Sequence, residues 1–404
     1  MLGAHGFDFE RLFGGEELRR FSEAAVAAVS SGTTRPLLDA LETAPSPERL
    51  ERAAFAASVQ GLTPLLAVLP GTSEFPPALA EFLAHERAAS ARRASVLAGI
   101  LANVTGALEA AGVPTVALKG AVLAFRHYPA PELRPMGDLD LLLAEPSRLA
   151  DATAILETVG WARLLDTPRH RVFSRPDERV ARPACEDAEN PVRIELHTSF
   201  RMPVLGRTYD ATRELLAAPE RHEICGARIR IVSGNALGRH LLFHAAEDFA
   251  SRGLRGIQAH DFRLLSRLTG PLRIEFSGAD RKAGLAPVAV AARAVESLFP
   301  ESFAPEFLAG ISAGISPRVF ASAARLAPLR YTRPGRGQAL VLAGLIESPL
   351  RKLRFLLRAT FSTPGEVKAT AAPDATGPAL LAAWGALLAR RIARGLAQLV
   401  RRSE

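Results

Sequence analysis

Asp138 and Asp140 stand eighteen and twenty residues after Gly120, at the head of the apolar run Leu141-Leu142-Leu143. Residues two apart on a strand share a face, so both carboxylates point the same way while the rest of the strand is buried. Adjacent acids repel one another and resist desolvation; a cation between them removes both difficulties. The pair therefore predicts a metal site. Against it stands the plainer reading of a solvated strand end.

A later segment, Arg193-Ile194-Glu195-Leu196-His197, alternates in the same way. Ile194 and Leu196 face one side, and Arg193, Glu195 and His197 face the other. If the two strands are neighbours, Glu195 joins Asp138 and Asp140 as a third carboxylate. Three converging acids suit a two-magnesium site for phosphoryl or nucleotidyl transfer. One ion lowers the pKa of the attacking hydroxyl, and the other neutralises the triphosphate and leaving group. His197 shares the polar face, either touching substrate or serving as a hydrogen-bonded structural residue. Upstream, Lys119-Gly120 reads as a turn into a helix. Gly120 lets backbone approach a phosphate at the helix end that favours anions. Lys119 adds a point charge there, and Arg134 in the following loop is placed to clamp a phosphate oxygen.

Positioning these residues requires a change of pattern along the chain. Residues 1–95 read as helical, with Phe9 to Val29 and Ser46 to Ser58 showing helical apolar spacing. A longer helix is expected over Ala88 to Ala111, its face formed by Val96, Ile100, Val104 and Leu108. Residues 96–233 then form an α/β core. Its parts are a short strand at Thr115 to Leu118, a helix from Gly120 to His127, a three-proline loop and the Asp138 strand. A helix from Pro146 to Thr158 follows, with strands at Val172 to Ser174 and Val192 to Phe200, and an edge strand at Arg228 to Val232. Residues 234–359 return to helix. Residues 360–404 comprise a Thr/Pro/Ala/Gly linker and an amphipathic helix over Ala379 to about Arg402, with Leu381, Trp384, Leu388, Ile392, Leu396 and Leu399 on one face. That helix is expected to dock on the body of the protein, on a partner or on an anionic membrane surface.

The chain has 404 residues, 48% of them hydrophobic, enough for two or three domains. Its two cysteines, Cys185 and Cys225, exclude a disulfide scaffold and a cysteine-rich zinc site, and suit a reducing cytosol. With no signal-peptide pattern and no bilayer-length apolar run, a cytoplasmic protein is expected. The net charge is +8, but ten Lys or Arg face three acids from residue 351 onward. The remainder is nearly neutral. A nucleic-acid enzyme would carry basic charge around its active groove, so nucleic acid is disfavoured as a partner.

The order Leu118-Lys119-Gly120, Tyr128-Pro129, Arg134-Pro135-Met136-Gly137-Asp138-Leu139-Asp140 and Glu195-Leu196-His197 resembles the uncharacterised nucleotidyltransferase-like family of the DNA polymerase beta superfamily. The segment Leu254 to Asp261 is similar as well, extending the likeness over about residues 50–370. The resemblance implies a polymerase-beta-type core with a short mixed sheet, flanked by N- and C-terminal helical regions. It implies metal ligation by Asp138 and Asp140, completed by Glu195, and phosphate contact at Gly120. The wider superfamily's Gly-Ser turn is here Lys119-Gly120, so the serine that would touch a terminal phosphate is missing.

The expected reaction moves a nucleoside monophosphate from a nucleoside triphosphate to a small-molecule or peptide/protein acceptor, with Mg2+. ATP is taken as the donor for its abundance. The alternative is a non-catalytic nucleotide-binding or protein-interaction module with a basic tail. His260-Asp261 raises a further class, the HD-type phosphohydrolases, but His240, His244 and Asp280 lack the spacing that chemistry needs.

Overall fold

The computed structural model describes residue 12 and residues 15–167, 170–175, 190–326, 328–329, 342–346 and 348–360. The amphipathic helix and linker expected beyond residue 360 lie outside these, as do Cys185 and most of the 175–190 loop. Two units are distinguished: one holds residues 1–204, 208–313 and 327–333, the other residues 205–207, 314–326 and 334–404. No described helix is long and apolar enough to cross a membrane.

The first unit opens with four helices: α1 (Gly15–Ser31), α2 (Arg35–Leu41), α3 (Pro47–Gln60) and α4 (Thr63–Leu66). The limits of α3 follow from its sequence: Ser46 caps the Arg49 amide, Pro47 takes the first turn, and Gly61 at φ 68° ends it. Helix α5 spans Pro77–Ala110 without a break, so the divide expected near residue 95 falls inside one continuous helix. Its buried face is Leu97, Leu101, Val104 and Leu108, whereas Val96 is 55% exposed. Steps of four on a 3.6-residue turn drift by about 40° each, and a uniform four-residue series leaves the true face.

The sheet follows. Strand β1 (Thr115–Ala117) leads into α6 (Lys119–Val122), which widens into a π turn over Leu123–His127. Then come β2 (Asp138–Leu143), α7 (Leu149–Thr158), β3 (Ala162–Asp166), β4 (His170–Ser174) and β5 (Arg193–His197). A two-stranded ribbon, β6 (Arg201–Val204) and β7 (Arg207–Asp210), precedes α8 (Thr212–Ala217), β8 (Glu220–Ile224) and β9 (Ala227–Ile231). The main sheet is seven-stranded and mixed, in the order β3-β4-β5-β2-β1-β9-β8. Strand β9 is internal, paired to β1 and β8, and the true edge is the polar β8, whose weak apolar alternation hid it from pattern reading.

Helices α9 (Gly234–Ser251), α10 (Gly256–Thr269), α11 (Gly278–Ala283), α12 (Ala286–Leu298) and α13 (Pro305–Ser312) complete this unit. The start of α10 is seated on the end of α3: Gly256 N donates to Gln60 Oε1 at 2.9 Å and Arg255 Nε to the Val59 carbonyl at 3.0 Å. In the second unit the described helices are α14 (Pro317–Ala323) and α15 (Pro349–Thr360).

One buried arginine decides how the central strands begin. Arg93 on α5 is 4% exposed. Its guanidinium donates to the carbonyls of Met136 (2.7 Å), Gly137 (2.7 Å) and Asn190 (2.6 Å). Two of these precede β2 and the third precedes β5, so one side chain ties the entries of both acid-bearing strands to a long helix. Its charge-assisted bonds satisfy all three carbonyls at once. Replacing Arg93 by Met is expected to cost about 3–5 kcal/mol in folding stability, and Lys to recover only part of it, because an ammonium cannot span three carbonyls with the guanidinium fork. Denaturant midpoints of the three proteins check this.

Candidate functional site

Strands β2 and β5 run parallel and in register, with Asp140 opposite Glu195, Asp138 opposite Arg193 and Leu142 opposite His197. The neighbour relation on which the third carboxylate depended is therefore present. The Asp140 side chain is 4% exposed and that of Glu195 is 23% exposed. Asp138, one pleat nearer the strand's start, is exposed.

Two cations answer the buried acid. Lys119 Nζ lies 2.7 Å from Asp140 Oδ1, and His197 Nε2 lies 2.9 Å from the same oxygen. His197 Nε2 also lies 3.5 Å from Glu195 Oε2, and His170 Nε2 sits 3.9 Å from that oxygen. One ligand atom each from Asp140, Glu195 and His197 falls within 4.8 Å of the others. Asp138 is not in that trio, although its charge acts on Lys119.

The electrostatics follow. Burial favours the neutral form of every group here, but the partners outweigh it. Lys119 and His197 hold Asp140 far below the usual carboxylate range. The His197 bond keeps Glu195 low despite burial and the Asp140 charge. The three acids raise Lys119, and bonds to Asp140 and Glu195 raise His197 above an ordinary imidazole.

Lys119 reaches Asp140 from an unusual backbone. It, and not Gly120, is the left-handed residue of the turn, at φ 46°; a non-glycine residue there costs roughly 1 kcal/mol and persists where the surroundings over-determine it. Gly120 serves close packing instead. A Cβ on it would lie 3.1 Å from Met136 Cγ, so its absence lets the loop before β2 approach. Arg134, expected at a phosphate, makes a two-pronged bond to Asp261 on α10, with Nε–Oδ1 and Nη2–Oδ2 both at 2.9 Å. Tyr128 Oη donates to the same carboxylate at 2.8 Å. The Tyr128-to-Arg134 loop is thereby pinned to the helical region, which gives Asp261 a structural role. The geometry does not bring His240 and His244 into an HD-type set with it: among the described residues the metal-competent trio is the one above.

An open pocket lies beside the trio, lined in part by Lys119, Glu195, His197, Phe200, His244 and Glu247. Phe200 stands edge-on to His240, ring centroids 4.1 Å apart. His240 is fully buried and neither ring nitrogen has a hydrogen-bond partner; burial, with the Lys119 charge, holds it neutral. Pattern reading passed over Arg93, His170, Phe200 and Glu247. The first lies on a helix far from the acids in sequence, and the others are ordinary residues until the fold assembles them.

A family model described as an uncharacterised nucleotidyltransferase matches residues 46–276, which include Lys119, Asp138, Asp140, Glu195 and His197. No curated protein matches the chain. Among solved structures, it is similar to an antigenic nucleotidyltransferase-like protein from Paracoccidioides brasiliensis. The identity is 16%, covering 51% of this chain and 93% of that one, with a TM-score of 0.33.

The raised His197 pKa carries a sign. A group whose pKa rises on folding stabilises fully below its unfolded value, about 6.5 for imidazole, and that contribution fades as pH climbs through the folded value. In metal-free buffer the stability gap between wild type and His197→Gln should therefore be widest below pH 6.5 and narrow towards alkaline pH. Urea midpoints of both proteins from pH 5.5 to 9 measure it; a gap independent of pH contradicts the assignment.

Proposed function

The chain belongs to the uncharacterised nucleotidyltransferase family, and from that premise we propose that it moves a nucleoside monophosphate from a nucleoside triphosphate to a hydroxyl or phosphate acceptor on a small molecule, peptide or protein. The observation that carries the reading is the in-register pairing of Asp140 with Glu195, the latter lining an open pocket. Oxygen donors on neighbouring strands fit a divalent cation: both protein cations on Asp140 engage Oδ1, and Asp138 stands one pleat away.

In this proposal Asp138, Asp140 and Glu195 hold Mg2+, in the two-ion arrangement used for phosphoryl transfer. Bound there, it would neutralise the triphosphate and acidify the attacking hydroxyl. The chain's own groups supply the rest. Glu195, kept ionised, accepts a hydrogen bond from the acceptor hydroxyl and orients it. Lys119, part-exposed beside Gly120, offers its ammonium to charge developing on the phosphates. The acceptor oxygen, its proton passing to Glu195, forms a bond to the α-phosphorus, the bond to the bridging oxygen breaks, and pyrophosphate leaves with that electron pair. ATP is the proposed donor, and the cytoplasm the proposed setting. A near-neutral body favours a small or peptide acceptor over nucleic acid.

A second reading has an observation of its own. Asp140 is already met by two protein cations, as befits a scaffold that keeps the fold without the chemistry. Magnesium with each of ATP, GTP, CTP and UTP separates the two readings. The enzyme reading expects at least one triphosphate to raise the melting temperature only when magnesium is present, with the shift lost in Asp138→Ala/Asp140→Ala. It also expects transfer of label from that triphosphate to a component of cell extract, falling about 10²–10³-fold in Asp140→Ala. Silence in all four melts leaves the scaffold reading standing.

A further inference from the structure

The acids have a nitrogen beside them that an oxygen-only site does not need. We propose that Asp140, Glu195 and His197 form a mixed oxygen–nitrogen site for a first-row transition-metal dication, Mn2+ or Zn2+, in preference to Mg2+. The inference rests on reading this pocket as the metal-dependent site of nucleotidyl transfer, and it names the kind of ion.

The geometry comes first. Donors on one such ion stand about 2.0–2.2 Å from it, so neighbouring donors lie about 2.8–3.6 Å from one another in octahedral or tetrahedral arrangements. His197 Nε2 lies 2.9 Å from Asp140 Oδ1 and 3.5 Å from Glu195 Oε2. Both separations are already those of ligands sharing an ion. The strand pattern makes this possible: Glu195 and His197 are two apart on β5, on the face they share with Asp140 of β2.

Burial comes second. The His197 side chain is 7% exposed, and its ring is held between His170 and Phe200, at centroid distances of 5.0 and 5.3 Å. An imidazole fixed this way enters a site with little ordering cost. Third, a cation already sits here: Lys119 Nζ is 2.7 Å from Asp140 Oδ1, so positive charge is favoured at this oxygen.

Ligand chemistry then sets the preference. Magnesium takes oxygen donors and keeps several waters, whereas the first-row transition-metal dications bind an imidazole nitrogen more readily, zinc more strongly than manganese. A site with one imidazole among two carboxylates gains affinity for manganese and zinc and little for magnesium.

The test uses the full chain, stripped of metal with chelator, and Mn2+ as the probe. Titration followed by the electron paramagnetic resonance signal of free Mn2+ should show one tight ion per chain. Mg2+ should displace it only at tenfold or greater excess. Electron spin-echo modulation should show a coupled ¹⁴N nucleus in wild type. His197→Gln should weaken Mn2+ binding about 10–100-fold and abolish the nitrogen coupling, while Asp138→Asn retains the coupling.

Wild-type Mn2+ without nitrogen coupling overturns the proposal, and that measurement needs no variant to fold. Unchanged Mn2+ affinity in His197→Gln overturns it as well. The two readings part cleanly. Nitrogen-coupled Mn2+ with no triphosphate response in either Mg2+ or Mn2+ supports this site and removes nucleotidyl transfer. Magnesium-dependent triphosphate shifts without nitrogen coupling do the reverse.

Discussion

Two strands laid side by side in register set one carboxylate against another in the middle of a sheet, and nearly everything notable in the core compensates for that. Asp140 faces Glu195 across β2 and β5, and the first is almost wholly buried. Ionised acids so placed repel each other and lose water, costs of several kcal/mol each when nothing offsets them. Lys119 and His197 are the offset, both directed at one oxygen of Asp140. Lys119 holds a left-handed backbone to reach it, a strain that makes sense only where the ion pair over-determines the turn. The second carboxylate oxygen stays outside both bonds, and Glu195 and Asp138 keep more of their charge towards solvent.

Two arginines maintain the frame on which this arrangement rests. Arg93 gathers carbonyls from the entrances of both acid-bearing strands, and Arg134 ties the preceding loop to Asp261 of α10. The helices before and after the sheet thus act as two abutments. The N-terminal helices hold α10 in place through Gln60 and Val59, and α10 in turn holds the loop. A helical flank that looks like an appendage in the sequence is mechanically part of the site, which explains why residues 1–204 and 208–313 belong to one unit.

Much of the site was legible because strand periodicity is short and local. Asp138 with Asp140, and Glu195 with His197, declare their shared faces within five residues, and an α/β core between helical flanks follows from the change of pattern. What was hidden needed distance information. Strand adjacency is not written in either strand, and the polar edge β8 carries too little apolar alternation to be seen. Helix α5 misled by its alanine richness: with small residues all round, the four-residue series through Val96 looked as good as the true face through Leu97. Arg134 and Gly120 were noticed for the right reason, being a cation and a flexible turn near acids. Their observed partners, Asp261 and Met136, come from segments no local pattern connects to them.

Charge balance ties the pocket to the reaction proposed for it. Asp138, Asp140 and Glu195 bring three carboxylates, met by the Lys119 ammonium and by His197, whose pKa its acid partners raise despite burial. These partners are what lets Asp140 be buried at all. A divalent ion held by Asp140, Glu195 and a neutral His197 would meet three carboxylates and one ammonium, so the charges balance. A triphosphate arriving with the ion would bring negative charge for Lys119 to meet. Lys119 is the hinge of this logic. It is bonded to Asp140 and, part-exposed at the pocket wall, has only a short distance to turn from a carboxylate to a phosphate.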